Sequence, residues 1–478
     1  MTSTFLAIVT VWEIVALSGT VLLSTYLIAE IVIAILRPWP AFAPDPETPL
    51  PFVSVVIPTY DEPEAILAAT LACWDRVRYP AFEVLLADDS TVPAAVDPSR
   101  VRVVRRPNRE GFKGGALRNA FNHLDPRSEW LLVFDADYLV DPDVLVRFAE
   151  HYRPGVGGIQ GFMSMGLNDP PSTLTRFSEA IHHVAGVLLA GRYRHRGFVG
   201  VQGTVQAYRV EAIRDLGGIA PSFTANEDLD TSFRLRKAGW TIVYDPRIVG
   251  YGVAPDRYET FFTQITRWTA TTVREYRRHW RSYLASPKVP RREKLDSFLF
   301  LLTWTNAIVV APTLFFIPWA LLDLRLIPLW SAIAITLLPL VVFTVPALLR
   351  RAARTGVIGW LWYYVMLLPG SFVMFRAAFS GLLGEPGFAR TPKNAQARTE
   401  PPSRAPAPVS EATGATVLNF PVRRYACRSC GRSLADREVV FYASAGLDLA
   451  EVDCRRCLAD TEWSRFRPTP AAAGPAPA

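Results

Sequence analysis

The residues best equipped for chemistry are acids placed just after apolar runs. Asp88-Asp89 follows Val84-Leu85-Leu86-Ala87, and Asp135-Ala136-Asp137 follows Leu131-Leu132-Val133-Phe134. A carboxylate in the first position can accept hydrogen bonds from the N–H of a base such as uracil. Two alternate acids in the second can hold Mg2+ or Mn2+ against a diphosphate through hard oxygen ligands. The cation then neutralises charge on a departing group. Glu227-Asp228, preceded by Asn226, reads as the first turn of a helix. Acids there complement the helix dipole, and Asp228 is also a candidate general base for deprotonating an acceptor hydroxyl. In Gln264-Ile265-Thr266-Arg267-Trp268, the i, i+3 and i+4 residues Gln264, Arg267 and Trp268 share one helical face. Arg267 can pair with a diphosphate, Trp268 can stack on a sugar ring, and Gln264 can hydrogen-bond that ring. Ile57-Pro58-Thr59-Tyr60-Asp61-Glu62-Pro63 puts Thr59, Tyr60 and Glu62 at a strand end beside a nucleotide base. Arg109 and Lys113 offer positive charge for a diphosphate within a glycine-containing stretch. Each of these also fits a bland reading, a capped turn or a snorkelling helix, when taken singly.

The elements that must position these residues read as an α/β domain. Strands are expected at Phe52–Ile57, Phe82–Ala87, Val101–Arg105 and Trp130–Phe134, alternating with helices at Glu64–Asp75 and Lys113–Asn122. Strands alternating with helices predict a mostly parallel sheet. Open sheets of that kind bind ligands beyond the carboxyl ends of their strands, where the acids fall. The expected organisation is a membrane segment at 1–37 and the α/β domain at 51–254. Amphipathic helices lying on the cytoplasmic membrane surface are expected at 255–295, two spanning helices at 296–349, and at 356–393 an interfacial helix with a loop, or alternatively a third late span, interrupted by Pro369, Gly370 and Arg376. A Pro/Ala-rich linker occupies 394–422, a cysteine module 423–465, and a Pro/Ala-rich tail 466–478.

Half of the 478 residues are hydrophobic. They concentrate at Phe5–Leu36, Phe298–Leu322 and Leu326–Leu349, each long enough for a helix crossing a hydrocarbon core of about 30 Å. The first run lacks the basic start and cleavage site of a secretory signal. Glu13 and Glu30 interrupt it, as expected where part of a helix lies at the membrane interface or packs against other helices. The net charge of +7 is gathered at the ends of the apolar runs: Arg37; Arg274 to Lys294; Arg350, Arg351 and Arg354. Basic flanks favour the cytoplasmic side, so the α/β domain and the C-terminus are expected in the cytoplasm at the inner (plasma) membrane. The same placement argues against nucleic-acid binding. Cys73 reads as a core residue. Cys427-x2-Cys430 and Cys454-x2-Cys457 have the spacing of a four-thiolate structural Zn2+ site, which a reducing cytosol favours over two disulfides.

In order, Asp88-Asp89, Asp135-x-Asp137, Glu227-Asp228 and Gln264-x-x-Arg267-Trp268 resemble the D, DxD, TED, QxxRW pattern of processive family 2 glycosyltransferases. That group is the cellulose synthase and cellulose synthase-like superfamily, and the likeness covers roughly Pro51–Lys393. Asn226 stands where the family usually has Thr. The resemblance implies a GT-A domain using a UDP- or GDP-sugar, with a UDP-hexose as the expected donor. It implies that Asp88 contacts the base, Asp135 the nucleotide and Asp137 the metal. Asp228 would be the base, with Glu227 beside it, and Trp268 would bind the terminal sugar of the acceptor. Gly387–Lys393 resembles the family's gating loop, in which Thr391 and Lys393 would reach phosphates. The expected function is therefore membrane-embedded, inverting, metal-dependent extension of a polysaccharide. The alternatives are transfer of one sugar to a lipid acceptor, and an idle membrane scaffold. The retained acids argue against the scaffold. The zinc module lies outside the family core and offers a surface for a protein partner or a second copy.

Overall fold

The structure, a computed structural model, describes residues 3–37, 50–98, 100–219, 226–305, 308, 341–349 and 353–384. Thr391, Lys393 and the four paired cysteines lie outside the described residues. So does most of the stretch expected to form the second and third spans. Among the described residues no helix is long and apolar enough to cross a membrane.

The expected alternation is present. Strands β1 (Phe52–Thr59), β2 (Phe82–Asp88), β3 (Arg102–Arg105) and β4 (Ser128–Val133) are interleaved with helices α2 (Glu64–Trp74) and α3 (Phe112–Phe121). The chain continues through β5 (Leu139–Val140), α4 (Val144–Ala149), β6 (Val156–Ser164), α5 (Thr173–Arg194), β7 (Gln206–Arg209) and α6 (Val210–Asp215). It then forms α7 (Glu227–Ala238) and β8 (Thr241–Tyr251). One eight-stranded sheet results, in the order β3-β2-β1-β4-β7-β6-β8-β5. Its first half is wholly parallel, with Val55 of β1 level with Val84 of β2 and Leu132 of β4. Strand β7 runs antiparallel to both neighbours.

Period-2 alternation sends Val53, Val55 and Ile57 to one face of the sheet with Trp74 and Leu132. Val56 goes to the other face with Leu85, Leu131, Leu117 and Val187. Both faces are covered, which explains why these strands are continuously apolar. Each fully buried Leu or Val contributes about 1.5–3 kcal/mol. The parallel order places the ends of β1, β2 and β4 side by side, so Thr59, Asp88 and the loop carrying Asp135 share one edge.

Helix α1 (Ser3–Leu36) lies against α5 through buried Tyr26, Ile31 and Ala34. Glu30 is buried with them and meets His195 at 2.8 Å. Asp296, on α9 (Arg291–Thr305), accepts hydrogen bonds from the Tyr26 hydroxyl (3.1 Å), Arg192 (3.1 Å) and the Phe198 amide (2.6 Å). This polar cluster ties α1 and α9 to the C-terminal end of α5.

Residues 255–295 do not merely coat a surface. Helix α8 (Tyr258–Ala285) buries Phe261, Thr269, Ala270, Val273, Tyr276 and Tyr283 against the domain and its neighbours. The break expected at Pro369-Gly370 is absent. Helix α10 (Ala353–Leu383) runs through Pro369 and packs along α8 and α5. Proline removes one backbone hydrogen bond, and packing on two long helices holds the helical path despite that loss.

Candidate active site

Beyond the carboxyl ends of β1, β2 and β4 opens a cleft of about 270 Å3. Four segments far apart in sequence supply its walls: Thr59, Tyr60 and Glu62 after β1; Asp135 and Asp137 after β4; Glu227 and Asp228 opening α7; and Gln264, Arg267 and Trp268 from α8. Lys113 completes the set from the first turn of α3. Eleven of the described residues expected at the site thus line one cavity, and the i, i+3, i+4 spacing does present one face of α8 to it.

Asp88 is the exception: against the expectation that it contacts a base, it does not line the cleft. Its side chain is fully buried and committed to its own turn. One carboxylate oxygen accepts from the Ser90 amide at 2.9 Å; the other accepts from the Ala94 amide at 3.2 Å and from Arg105. The acid that reaches the cleft is Asp89. Arg106 grips Asp89 with two hydrogen bonds of 2.8 and 2.6 Å, the paired geometry that orients both planes. Arg106 also donates to the Phe112 carbonyl at 2.7 Å and to the carbonyl of Glu110. A side chain at Gly115 would overlap the Glu110 carbonyl and the Arg106 guanidinium, so glycine there gives this arginine its space. The guanidinium of Arg109 lies over the Tyr60 ring, 3.2 Å from its centroid.

Lys113 links the loop of Asp135 to the loop of Gly203. Its ammonium donates to Asp135 at 2.5 Å and to the Gly203 carbonyl at 2.6 Å. Burial favours the neutral amine, but the charges of Asp135 and Glu227 outweigh it and raise the pKa. Gly203 has φ +89, and a Cβ there would lie 3.2 Å from a carboxylate oxygen of Asp228. Its loop was not anticipated, because nothing periodic marks it. Two wholly buried glutamines hold it: Gln160 accepts from the Gln202 amide at 2.7 Å, and Gln206 accepts from the Gly203 amide at 2.8 Å. Thr204 accepts from the Asp135 amide at 2.9 Å, fixing the acidic loop to the same segment.

Burial, followed by the neighbouring charge of Glu227, pushes Asp228 up to about 7. Burial also raises Glu227. A carboxylate near neutrality suits general-base work. Burial lowers the pKa of Arg267, while Asp135 and Glu227 oppose the shift. The cleft therefore sets cations, Lys113 and Arg267, among several acids. Asp135 and Asp137 are the hard oxygen donors that suit Mg2+ or Mn2+. Among the described residues, three possible metal ligands also gather at Glu30, His195 and Asp296, and at Asp230, Glu275 and His279. Neither group lines the cleft. Arg192 already serves the first (3.1 Å), and Lys237 bonds His279 of the second (3.1 Å).

An α/β sheet ending in an acid-lined cleft, with the diacid loop between Lys113 and the start of α7, is the arrangement of a GT-A-like glycosyltransferase domain. Residues 49–271 match the family model described as Glycosyltransferase like family 2. The chain carries a family 2 glycosyltransferase domain over those residues. Two Arabidopsis thaliana proteins, probable glucomannan 4-beta-mannosyltransferases 15 and 1, are similar to it. They are 28% identical over 314 residues and 29% over 315 residues. Each alignment covers 59% of this chain, and 56% and 55% of the respective relatives. The chain thus spans about half the length of these curated relatives. A solved mannosyltransferase from Pyrobaculum calidifontis, in complex with GDP-Man and Mn2+, shares the fold with a TM-score of 0.55 and 19% identity. The match covers 79% of this chain and 98% of that one.

Proposed function

We propose that this protein transfers a mannosyl residue from a nucleoside diphosphate mannose, GDP-mannose first among candidates, to the end of a polysaccharide. The observation that carries the reading is the convergence of Asp135/Asp137, Glu227/Asp228 and Gln264/Arg267/Trp268 on one cleft. The choice of mannose over the UDP-hexose expected from the motifs rests on the names of the relatives.

Asp89 receives the N–H groups of the base, which lies beside Tyr60. Lys113 and Arg267 face the diphosphate, and the flat side of the acceptor's terminal sugar rests on Trp268. Asp228 takes the proton of an acceptor hydroxyl as its oxygen bonds to the anomeric carbon. The bond from that carbon to the diphosphate breaks, its electron pair leaves with GDP, and the anomeric centre inverts. Asp137, with Asp135, would hold a divalent cation that neutralises charge on the diphosphate.

Attachment to a membrane is part of the same proposal. Helix α1 has 34 residues, about 50 Å at 1.5 Å each, and Val11, Ile14, Val15, Val21, Leu22 and Val32 are exposed along it. Such a row favours a lipid surface over water. The basic flanks favour the cytoplasmic side, and the paired cysteines at 427–457 are proposed to hold one zinc ion. Metal analysis of protein purified under reducing conditions checks the zinc.

The decisive experiment supplies purified, lipid-reconstituted protein with Mn2+ and GDP-mannose, UDP-glucose or other donors. Released nucleotide and product length are read together. GDP release coupled to lengthening chains is expected. GDP release with one sugar added to a lipid would replace polymer extension by the lipid-transfer alternative. Binding of no nucleotide sugar would overturn the reading.

A further inference from the structure

His182, on α5, lines the same cleft but belongs to none of the sequence motifs. It is 5% exposed, and its ring meets the Trp268 ring edge-on, with centroids 5.9 Å apart and planes at 73°. Its Nδ1 lies 2.8 Å from the carbonyl oxygen of Ser178, one turn earlier. A carbonyl can only accept, so Nδ1 carries the hydrogen and Nε2 offers a lone pair. Among the described residues Nε2 has no partner. Burial lowers the pKa of the ring, which keeps that lone pair available at neutral pH.

Across from it on α8, the side-chain oxygen of Gln264 is also buried without a hydrogen-bond partner among the described residues. Two acceptor atoms therefore accompany one indole ring. An ionised phosphate has no hydrogen to donate to these two acceptor atoms, whereas a sugar hydroxyl has one. A neutral pyranose fits, with C–H groups for the indole face and hydroxyl donors around its rim. The cationic side chains, Lys113 and Arg267, serve the diphosphate instead.

We propose that His182 is a positioning residue for the acceptor: its Nε2 accepts a hydrogen bond from a hydroxyl of the terminal sugar resting on Trp268. The inference rests on the transferase reading and adds to it the residue that sets which way the acceptor sugar faces. Adjacent His183 has a different part, stacked on Phe162 with ring centroids 5.9 Å apart.

The test compares His182→Phe, which keeps an aromatic ring against Trp268 but loses the acceptor, with His182→Gln, which keeps an acceptor. A β-1,4-linked manno-oligosaccharide is titrated into each protein with GDP present, following tryptophan fluorescence. GDP affinity is measured separately by calorimetry. His182→Phe should weaken oligosaccharide binding and raise its KM by about 3- to 10-fold, the worth of one neutral hydrogen bond. Its kcat at saturating acceptor should change far less, and His182→Gln should recover part of the loss. Unchanged oligosaccharide affinity in His182→Phe, or a parallel fall in GDP affinity in both variants, would assign the residue to packing and end the proposal. If the unaltered protein binds GDP but neither binds nor extends the oligosaccharide, the transferase reading itself fails. That outcome is distinct from a loss confined to the variants.

Discussion

Asp88→Asn separates what the structure says from what the sequence motif implies. The carboxylate accepts hydrogen bonds from Ser90 N–H, Ala94 N–H and Arg105. An amide has one oxygen, so either orientation turns its NH2 group toward a backbone N–H and leaves that donor without a partner. A hydrogen bond to a charged acceptor contributes about 1.5–3 kcal/mol, and an orphaned buried donor costs about 1–3 kcal/mol. The Arg105 side chain is 37% exposed, so its share is screened to less than about 1 kcal/mol. The expected loss is about 2–4 kcal/mol. At about 2–4 °C per kcal/mol for a domain of this size, Tm should fall by roughly 4–16 °C. GDP affinity per folded molecule should stay within about threefold, or ~0.7 kcal/mol. The assay pairs thermal unfolding with calorimetric GDP titration well below the melting range. Unchanged Tm with a tenfold or greater loss of GDP affinity, ~1.4 kcal/mol, would refute the reasoning and put Asp88 on the base. Asp89→Asn should lower both, Tm because Arg106 loses its paired acceptor and nucleotide affinity because Asp89 lines the cleft.

Asp137→Asn should abolish cation-dependent transfer, because one hard ligand and its charge are lost; full activity of the unaltered protein in EDTA would sink this assignment. Asp228→Asn should cut kcat by about 10²-fold or more while donor affinity holds. Because Asp228 must be ionised to act as a base and is pushed up to about 7, wild-type kcat should rise with pH and level off above neutrality; a flat profile between pH 5.5 and 8 would remove it as the base. Glu275 is buried beside Asp230, and burial raises it to about 8. A carboxyl raised in the folded state holds a proton that the unfolded chain has released, so its contribution to stability declines as pH climbs from its ordinary value through about 8. Glu275→Gln should therefore raise Tm at pH 9 and leave it nearly unchanged at pH 5; equal effects at both would show that the carboxyl does not titrate there.

Much of the α/β half was legible because chemistry and periodicity coincide in it. Each expected strand from Phe52 to Phe134 ends at or within two residues of its position, and the acids stand just past the strand ends. The order of Asp88 and Asp89 was not legible. Both are acids at a strand end, and only the turn through Ser90 and Ala94 decides which one is consumed by backbone amides. Strand β6 was missed because glycine thins its pattern, β7 because it is only four residues long, and β8 because Asp245-Pro246-Arg247 interrupts its apolar run. At Gly161, for instance, a Cβ would come within 2.6 Å of the Ile248 carbonyl, so the neighbouring strand requires the residue that propensity counts against. His182 could not be singled out either. A histidine on a helix acquires a role only when the fold sets it against Trp268, 86 positions later in the chain. The path of α10 through Pro369 likewise depends on partners that local sequence does not contain.

The buried cluster of Tyr26, Glu30, Arg192, His195 and Asp296 has a mechanical consequence. It fastens the catalytic body to two struts, the helix before it in the chain and a helix after it, at nearly one point. A body hung from a single flexible stalk can swivel; one pinned to two helices has less freedom to do so. Where α1 rests on a membrane, as proposed, the mouth of the cleft keeps a nearly constant heading relative to it. Donor must enter, and product must leave, along bearings set by that mount. Such a mount favours motion of segments within the cleft over reorientation of the domain as a whole.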